Sequence, residues 1–493
     1  MKTNLISIFC AVVCSIVMLQ GLNAQPLTWE KSYWFPEMSY SHFTKIIPLA
    51  DGDLLLAGYG NFAWAYFNPG FIRVDSNGVV KSSVQHHLNG SFEQITHTLL
   101  QLNDSDFYSF SFNPNIPIPV KQNTLGFEPI NHSWLLKLNA DGDTLSTCYT
   151  DSIGYVSDMI CHNGLLIAVG STNYEVEPWE FESKTTLLIT DTLGNQMLRQ
   201  EYFPDLNSRA NSILRLENGN YMICGSTALN FHTFDIYHPD QMFLLETDSA
   251  GNVLWTYFSD ISYSQANQII QCDDGSFVII GDGYNPAVSN RDIILWRMNA
   301  DKEILEPQFY HFSVTDRARS IKQTPDGGFI VCGDIWIIGP PSHSVFFYMK
   351  LDADGLLEWY THNQGNDHLA NDVILNGEHG YYIAGYGVDA KLVKSDLLGN
   401  GLILSAENLS NPYTFPGFKV FPNPGSHYLI VSGKQAPSAF YFKLYNNLGE
   451  PVISKELGKT QTIIDTNRLP AGLYFYRIFS GNNPPESGVW IKR

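Results

Sequence analysis

The chain is poor in charged residues. Asp, Glu, Lys and Arg make up 16% of its 493 residues, against about 25% in an average soluble domain. Aromatic residues reach 13%, which excludes an intrinsically disordered chain, because disorder requires few aromatic residues and many charges. Basic residues are the scarcer sign, with 29 Lys and Arg against 49 Asp and Glu, so the formal net charge is −20. A surface of that sign repels phosphate backbones and argues against a nucleic-acid partner.

Cysteine is also scarce. Two of the seven cysteines lie in an apolar N-terminal run, and the other five are an odd number, whereas a disulfide framework normally has an even count. No pair has the Cys-x-x-Cys or Cys/His spacing of a zinc site. Cys224 and Cys332 occupy a position where other copies of a repeat have Ala, Val or Ile, so we predict that they are small buried residues.

One long apolar run is present, over residues 5–19. It follows Lys2 and precedes small residues, which is the order of segments in a secretory signal peptide. We predict a signal peptide over residues 1–24, cleaved between Ala24 and Gln25. No later run reaches the ~18 apolar residues of a membrane span, so no transmembrane anchor is predicted.

The middle of the chain is a repeat. Each copy has a turn, an apolar strand and a closing residue, usually Gly, and the closing residues lie at positions 58, 111, 170, 225, 281, 333 and 385. A second apolar strand follows in each copy and ends in a turn such as DSNG at 75–78, whose first Asp and fourth Gly suit a type I turn. A calcium loop is a possible interpretation of residues 352–355, but most copies lack the additional carboxylates that it requires, so no metal site is predicted.

Each copy also opens and closes with a strand, which gives four strands and little helical periodicity. The fold class predicted is all-β, with a seven-bladed β-propeller over residues 25–409. Residues 27–34 precede the first full copy and have the pattern of an outer strand. We expect this segment to complete the seventh blade and close the ring, which removes an open sheet edge. An open β-solenoid of the same units is the alternative.

The repeat resembles the secreted propeller repeats with the pattern DGGYIIAG…LLVKLDSNGNVLW that occur in bacterial surface proteins. The similarity covers most of residues 40–405. It implies the fold and carries no information on activity, since one fold hosts many functions.

The repeat ends before residue 410. Pro and Gly mark residues 410–418 as a linker, and the short alternating strands of residues 419–493 predict a small Ig-like β-sandwich. Four motifs follow one another there: FPNP at 421–424, LYNNLG at 444–449, LPAGLY at 469–474 and the basic end at 492–493. An adhesive module retained in the mature protein is one interpretation of this segment.

These motifs resemble the type A C-terminal sorting domain of the type IX secretion system of Bacteroidota, with Phe421 where that family usually has Tyr. The resemblance implies Sec export followed by passage across the outer membrane, with the type IX machinery as partner of the C-terminal domain. The protein would then be secreted or located at the cell surface.

A column of polar residues precedes the aliphatic part of the inner strands. It consists of Thr44, Glu93, Asp158, Asn211, Asn267, Arg319 and Asn371. Inner strands line the channel of a propeller, so these side chains are candidates for a ligand-binding ring at its mouth. The favoured interpretation is that they satisfy backbone groups at strand ends. Aromatic residues of the loops on the same face, including Trp64, Trp179 and Trp336, are further candidates for ligand contact.

Signatures of catalysis are missing. The sequence has no GxSxG elbow and no HExxH pair. The propeller's arginines form no evident cluster, and the carboxylates are too dispersed to select a glycosidase pair. No catalytic residue and no cofactor is predicted. The favoured function is therefore a non-catalytic module that binds a surface glycan or a protein, and enzymatic activity is left open. The alternative is a polysaccharide hydrolase or lyase acting through Glu93, Asp158 and Arg319.

Overall fold

The structure is a computed structural model of the chain. It describes residues 28–493 except 37, 39, 63–65, 87–94, 113–132, 178–179, 229–240, 339–341, 364–367, 388, 401–417, 423–424, 433–439, 447–449, 459–460 and 481–482. The expected signal peptide, its cleavage site and the linker up to residue 417 lie outside this range. Every regular element of the described residues is a β-strand, and none of these residues belongs to a helix able to cross a membrane.

Seven antiparallel sheets follow one another within the described part of residues 29–395, and we call them blades 1 to 7. The chain begins with β1 (Trp29–Tyr33). Blade 1 comprises β2 (Tyr40–Pro48), β3 (Leu54–Phe62), β4 (Tyr66–Val74) and β5 (Val80–Gln85). Blade 2 comprises β6 (Ile95–Thr96), β7 (Leu100–Gln101), β8 (Phe107–Phe112), β9 (Ser133–Leu138) and β10 (Thr144–Thr150). Blade 3 comprises β11 (Tyr155–His162), β12 (Leu165–Glu177), β13 (Glu180–Asp191) and β14 (Gln196–Tyr202).

The later blades repeat this order. Blade 4 comprises β15 (Asn207–Arg215), β16 (Tyr221–Ala228), β17 (Gln241–Thr247) and β18 (Val253–Phe258). Blade 5 comprises β19 (Gln265–Gln271), β20 (Phe277–Asn285), β21 (Asn290–Met298) and β22 (Gln308–Tyr310). Blade 6 comprises β23 (Asp316–Gln323), β24 (Phe329–Ile337), β25 (His343–Leu351) and β26 (Leu357–His362). Blade 7 comprises β27 (Leu369–Leu375), β28 (Tyr381–Tyr386), β29 (Ala390–Ser395) and, from the other end of the chain, β1.

The outer strand of blade 7 is thus the N-terminal strand. β1 pairs antiparallel with β29, from Trp29 opposite Lys394 to Tyr33 opposite Ala390. An ion pair between Lys391 and Glu30 joins the same two strands. The prediction that this segment completes the last blade is confirmed, and the pairing leaves β29 without a free edge.

Apolar cores lie between the blades. Each neighbouring pair of blades shares one cluster of buried side chains, and the cluster between blades 7 and 1 includes Trp29 and Tyr33 of β1. Cys224 and Cys332 are fully buried in these cores, as expected from their places in the repeat. Burial of apolar surface on both faces of every blade is what holds the sheets in a ring.

The turn between the third and fourth strands has the predicted form. In blade 1 the Gly78 N–H donates to the Asp75 carbonyl at 2.8 Å, and the Asp75 carboxylate accepts from the Asn77 N–H at 2.8 Å. Gly78 has φ +72°, a conformation that favours glycine. This explains why Asp and Gly recur at these two places of the repeat.

The C-terminal part forms two further sheets. The first contains β30 (Lys419–Phe421), β31 (Tyr428–Ser432) and β34 (Gln461–Asp465). The second contains β32 (Phe440–Tyr445), β33 (Pro451–Leu457), β35 (Gly472–Ser480) and β36 (Asn483–Lys492). One core joins them, with Leu429 and Ile464 from the first sheet and Phe442, Ile478 and Trp490 from the second.

This domain contacts the outer strand of blade 6. Lys443 Nζ lies 2.8 Å from Glu358 Oε1, and the guanidinium of Arg477 stacks over the Trp359 ring, 4.6 Å from its centroid. Arg477 is 5% exposed, and burial lowers its pKa to about 10. The two domains therefore share a small contact that contains both charge and aromatic surface.

Candidate functional site

The inner strand of each blade carries one extra residue at a corresponding place. In six blades the register between the first two strands shifts by one residue there, which defines a β-bulge. In blade 2 the shift falls between β6 and β7, which both pair with β8, and His97 takes the position. A bulge redirects the side chain of the strand that contains it. The extra residues of blades 1 to 7 are Thr44, His97, Ser157, Asn211, Asn267, Arg319 and Asn371.

The closing glycine of the repeat lies opposite this bulge. A Cβ on Gly281 would lie 1.9 Å from the carbonyl oxygen of Gln265, and one on Gly170 would lie 1.7 Å from that of Tyr155. The same overlap occurs at Gly58, Gly225, Gly333 and Gly385. Any side chain would collide with backbone, so the close approach of the two strands requires glycine.

Most of the extra residues link neighbouring blades. Asn211 Nδ2 donates to the Ala266 carbonyl at 2.8 Å, and Asn267 Nδ2 donates to the Ala318 carbonyl at 2.6 Å. Equivalent bonds run from Thr44 to Thr96 at 2.8 Å, from Ser157 to Ala210 at 2.7 Å and from Asn371 to Phe43 at 2.7 Å. A hydrogen bond of this kind contributes about 1 kcal/mol net. These five side chains therefore satisfy backbone groups and help to hold the ring.

His97 and Arg319 use their side chains differently. Arg319 Nε lies 2.9 Å from Asp334 Oδ1 within the same blade. His97 lies among aromatic rings, with its centroid 5.3 Å from that of Tyr155 and 5.8 Å from that of Phe112. Both line the cavity on the ring axis, and they are the members of the ring best placed to meet a ligand.

The inner strands enclose a cavity of about 410 Å³, which we call the axial cavity. Its size is within the range of small-molecule binding sites. All seven extra residues line it, together with three tyrosines, four arginines, Lys45 and two aspartates. The tyrosines are Tyr59, Tyr155 and Tyr386, the arginines are Arg209, Arg291, Arg317 and Arg319, and the aspartates are Asp158 and Asp372.

The two aspartates of the wall are engaged with backbone and hydroxyl groups. Asp158 accepts from the Ser212 hydroxyl at 2.9 Å and from the Ile213 N–H at 3.1 Å. Asp372 accepts from the Ser320 hydroxyl at 2.8 Å and from the Ile46 N–H at 3.2 Å, which connects it to blades 6 and 1. These contacts give both carboxylates a structural role.

The cations of the wall are partly neutralised. Asp282 pairs with Arg291, Asp334 pairs with Arg319, and Asp372 lies 3.7 Å from Lys45. When the aspartates behind the wall are included, five cations face four carboxylates. This small positive excess contrasts with the net charge of −20 of the whole chain, so the axial cavity is a local site of attraction for anions.

The pKa of His97 is lowered by burial and by the positive charges of the wall. Burial is the main cause that lowers this pKa to about 3, and the charges of Arg209 and Arg319 lower it further. The Arg209 guanidinium stacks on Tyr155, 3.3 Å from the ring centroid. The site therefore combines fixed guanidinium groups, aromatic faces and a neutral imidazole.

Six of the candidate residues predicted from the sequence line the axial cavity. Asn211, Asn267, Arg319, Asn371 and Thr44 occupy the bulge position and line the axial cavity. Asp158 also lines it, but the bulge residue of blade 3 is its neighbour Ser157. Glu93, Trp64 and Trp179 lie outside the described residues.

Trp336 lies on β24 and is 39% exposed, and it is not part of the cavity wall. The expectation that the arginines form no cluster is wrong, because four of them from blades 4, 5 and 6 meet at the axis. His97 and the three tyrosines were missed by sequence reasoning.

A second cavity of about 470 Å³ lies at the side of blades 4 and 5. Trp255 and Tyr257 line it with rings 6.3 Å apart and nearly parallel. Its lysine, Lys302, forms an ion pair with Glu246. The axial cavity gathers polar groups from every blade, whereas this groove takes its lining from two, so we regard the axial cavity as the candidate functional site.

The comparison with solved structures gives matches at low identity and low TM-score. A protein of unknown function from Dyadobacter fermentans has a TM-score of 0.44 and 13% identity over 64% of this chain and 96% of its own. The extracellular domain of a putative hybrid two-component system from B. thetaiotaomicron has a TM-score of 0.28 and 9% identity, covering 92% and 72%. The WD40 domain of Neurospora crassa Pan2 has a TM-score of 0.36 and 9% identity, covering 68% and 85%. No curated protein matches the chain.

The C-terminal part matches a known family. Residues 419–491 match the secretion system C-terminal sorting domain, in agreement with the motifs at 421–424, 444–449 and 469–474. The propeller assignment rests on the sheet order and on the ring closed by β1. The protein is a β-propeller with a type IX C-terminal sorting domain, exported to the cell surface or the extracellular space.

Proposed function

We propose that the exported propeller is a non-catalytic binding module that takes an acidic glycan in its axial cavity. The observation that carries this proposal is the convergence of Arg209, Arg291, Arg317 and Arg319 on the axis of an otherwise strongly acidic protein. Guanidinium groups bind carboxylate and sulfate with paired, charge-assisted hydrogen bonds.

Aromatic side chains complete the chemistry expected of a sugar site. Tyr59, Tyr155 and Tyr386 line the cavity, and Gln265 adds an amide. Such groups contact the apolar face and the hydroxyls of a sugar ring, while the arginines select its negative charge. A protein ligand with an acidic side chain at its contact point would use the same groups, and it is an outcome that the experiment below separates.

The test compares two arginines of one strand. Arg209 lines the cavity at one end of β15, and Arg215 is exposed at the other end. Arg209→Gln and Arg215→Gln change the net charge equally. We expect the first variant to lose about 10- to 100-fold in affinity for an acidic polysaccharide, as one charge-assisted hydrogen bond is worth about 1.5–3 kcal/mol. The second should bind like the wild type.

Binding is measured on an array of acidic and neutral glycans and then by calorimetry at two salt concentrations. Weaker binding at high salt is expected for an ionic contact. Equal affinities of the two variants, or a preference for neutral glycans, would contradict the proposal. Binding to an acidic protein in place of a glycan would retain the site and change the ligand class.

Elimination on a uronic acid is a second candidate activity, and one observation favours it. His97 is a neutral imidazole beside Arg209 and Arg319. In uronate elimination, arginines neutralise the carboxylate of the sugar, and a neutral base removes the proton from the carbon next to that carboxylate. A pKa of about 3 makes His97 a weak base, so we favour binding. Release of unsaturated products from uronate polymers, abolished by His97→Gln, would establish the lyase instead.

A further inference from the structure

We propose that Asp292, His311 and Asp316 form a site for one divalent transition-metal ion, such as Zn²⁺, at the boundary of blades 5 and 6. The site is distinct from the axial cavity and does not depend on the proposed glycan. Each residue offers one ligand atom, and the three atoms lie within 4.8 Å of one another. Atoms bound to one ion at about 2.0–2.2 Å lie within that separation.

The carboxylates of Asp292 and Asp316 are buried without a lysine or arginine as counter-ion among the described residues. Asp292 and Asp316 are both 0% exposed. Among the described residues, no Lys or Arg forms an ion pair with either of them, and His311 is the one basic group in contact with Asp292. Burying a carboxylate is costly unless a counter-charge or a proton accompanies it. The cluster therefore needs a positive partner.

Hydrogen bonds orient both carboxylates and leave one oxygen of each for the cluster. Asp292 Oδ2 accepts from Asn285 Nδ2 at 2.7 Å. Asp316 Oδ2 accepts from the backbone N–H groups of Phe312 and Ser313 at 2.6 and 2.9 Å. Outer hydrogen bonds of this kind fix metal ligands in proteins.

The remaining oxygens show where an ion would be held. Asp292 Oδ1 lies 2.8 Å from His311 Nδ1, and Asp316 Oδ1 is buried without a hydrogen-bond partner among the described residues. An unsatisfied oxygen beside a second carboxylate and an imidazole nitrogen is an incomplete arrangement for a protein alone. A metal ion satisfies all three groups at once.

The ligand types define the class of metal. One imidazole nitrogen with two carboxylate oxygens suits Zn²⁺, Mn²⁺ or a similar ion, with water in the open positions. Ca²⁺ is disfavoured, because it takes six to eight oxygen ligands. The His311 side chain is 41% exposed, which gives an ion and its water a route from solvent.

The expected role of the ion is to position the wall of the axial cavity. Asp292 and Asp316 each directly adjoin an arginine of that wall, Arg291 and Arg317. Neighbouring residues of a strand point to opposite sides. A metal that fixes the two aspartates therefore fixes the strand segments that carry the two arginines.

The experiment uses the full exported chain, without an affinity tag, after treatment with a chelator. Calorimetric titration with ZnCl₂, MnCl₂ and CaCl₂ is combined with thermal unfolding in each ion. We expect one Zn²⁺ or Mn²⁺ per chain, a raised melting temperature, and no such effect of Ca²⁺. His311→Gln should weaken metal binding at least tenfold, and it should fold normally because this side chain is exposed.

Asp316→Asn tests the buried ligand, and Asp273→Asn, an exposed acid of blade 5, is the matched control that should bind metal like the wild type. The rival occupant is a proton shared by the two carboxyl groups, since burial raises the pKa of Asp316 to about 7. Absence of stoichiometric metal binding, or binding unchanged by His311→Gln, overturns the proposal. A gain in stability of Asp316→Asn in a chain that binds no metal identifies the proton.

Discussion

Two histidines of the inner region are held neutral by burial. The pKa of His97 is lowered to about 3 and that of His42 to about 4, whereas both titrate near 6.5 in the unfolded chain. Above pH 6.5 neither state binds the proton. As the pH falls below 6.5, these histidines bind protons in the unfolded chain but not in the folded chain. The free energy of unfolding therefore decreases progressively until the pH reaches the folded pKa values.

The predicted loss between pH 6.5 and pH 5 is at most about 2 kcal/mol for each histidine, and it is smaller for His97, which is partly exposed in the wall of the axial cavity. Urea unfolding at pH 7.5, 6 and 5 measures the slope. His97→Gln should flatten it, and His379→Gln, which removes an exposed histidine, should leave it unchanged. Parallel curves for all three proteins would show that His97 is not kept neutral by the fold.

The positions of single residues were predictable where the repeat is regular. Thr44, Asn211, Asn267, Arg319 and Asn371 each lie 14 residues before their closing glycine, and all five occupy the bulge. The same count from Ser111 gives His97, which lines the axial cavity, so the spacing is also present in the degenerate copy, whereas Glu93 lies outside the described residues. Blade 3 differs because its hairpin pairs His162 with Leu165 across a short turn, and the count there is 13.

The cluster of arginines was not predictable in this way. Arg209 and Arg317 precede the bulge of their inner strands, while Arg291 reaches the wall from the third strand of blade 5. Their meeting depends on how three consecutive blades pack against one another, which no local pattern encodes. The trio of Asp292, His311 and Asp316 likewise joins parts of two blades.

At the scale of the element, the bulge of each inner strand depends on the glycine that lies opposite it on the second strand. Gly281→Ala places a methyl group on the carbonyl of Gln265, so β19 and β20 must separate. We expect a loss of about 1–3 kcal/mol, typical of overpacking, and a disturbed position of Asn267. Gly472→Ala, where nothing lies within 4 Å of the added carbon, is the control and should change stability by less than about 0.5 kcal/mol.

Thermal unfolding of both variants provides the measurement, and binding to the axial cavity provides a second one. Weakened binding by Gly281→Ala with wild-type binding by Gly472→Ala would connect the bulge to the site. A Gly281→Ala protein as stable as the wild type would mean that the two strands are not held at this distance.

At the scale of the whole molecule, the two domains have different tasks. A chain that lacks residues 411–493 retains all seven blades and β1, so we expect it to fold, with Trp359 newly exposed where Arg477 covered it. It should accumulate in the periplasm, since the sorting domain is missing. A Sec-exported reporter fused to residues 411–493 should leave the cell in a host that has the type IX system.

Cell fractionation and mass spectrometry of the secreted form measure both effects. Unchanged export of the truncated chain, together with an intact Arg493 on the secreted wild type, would contradict the sorting role. Tryptophan fluorescence of the truncated chain checks that loss of export does not result from misfolding.

The pairing of β1 with β29 also sets the order of events during synthesis and transport. β1 is synthesised before the other strands of the propeller, but its pairing partner β29 ends only at Ser395. β1 therefore has no partner until the propeller sequence is nearly complete. Until then Trp29 and Tyr33 cannot reach their buried places. A chain that crosses a membrane from its N-terminus can therefore complete its ring only after nearly the whole propeller has arrived on the far side. The pairing of the first and last strands of the propeller therefore makes closure of the ring a late step of folding.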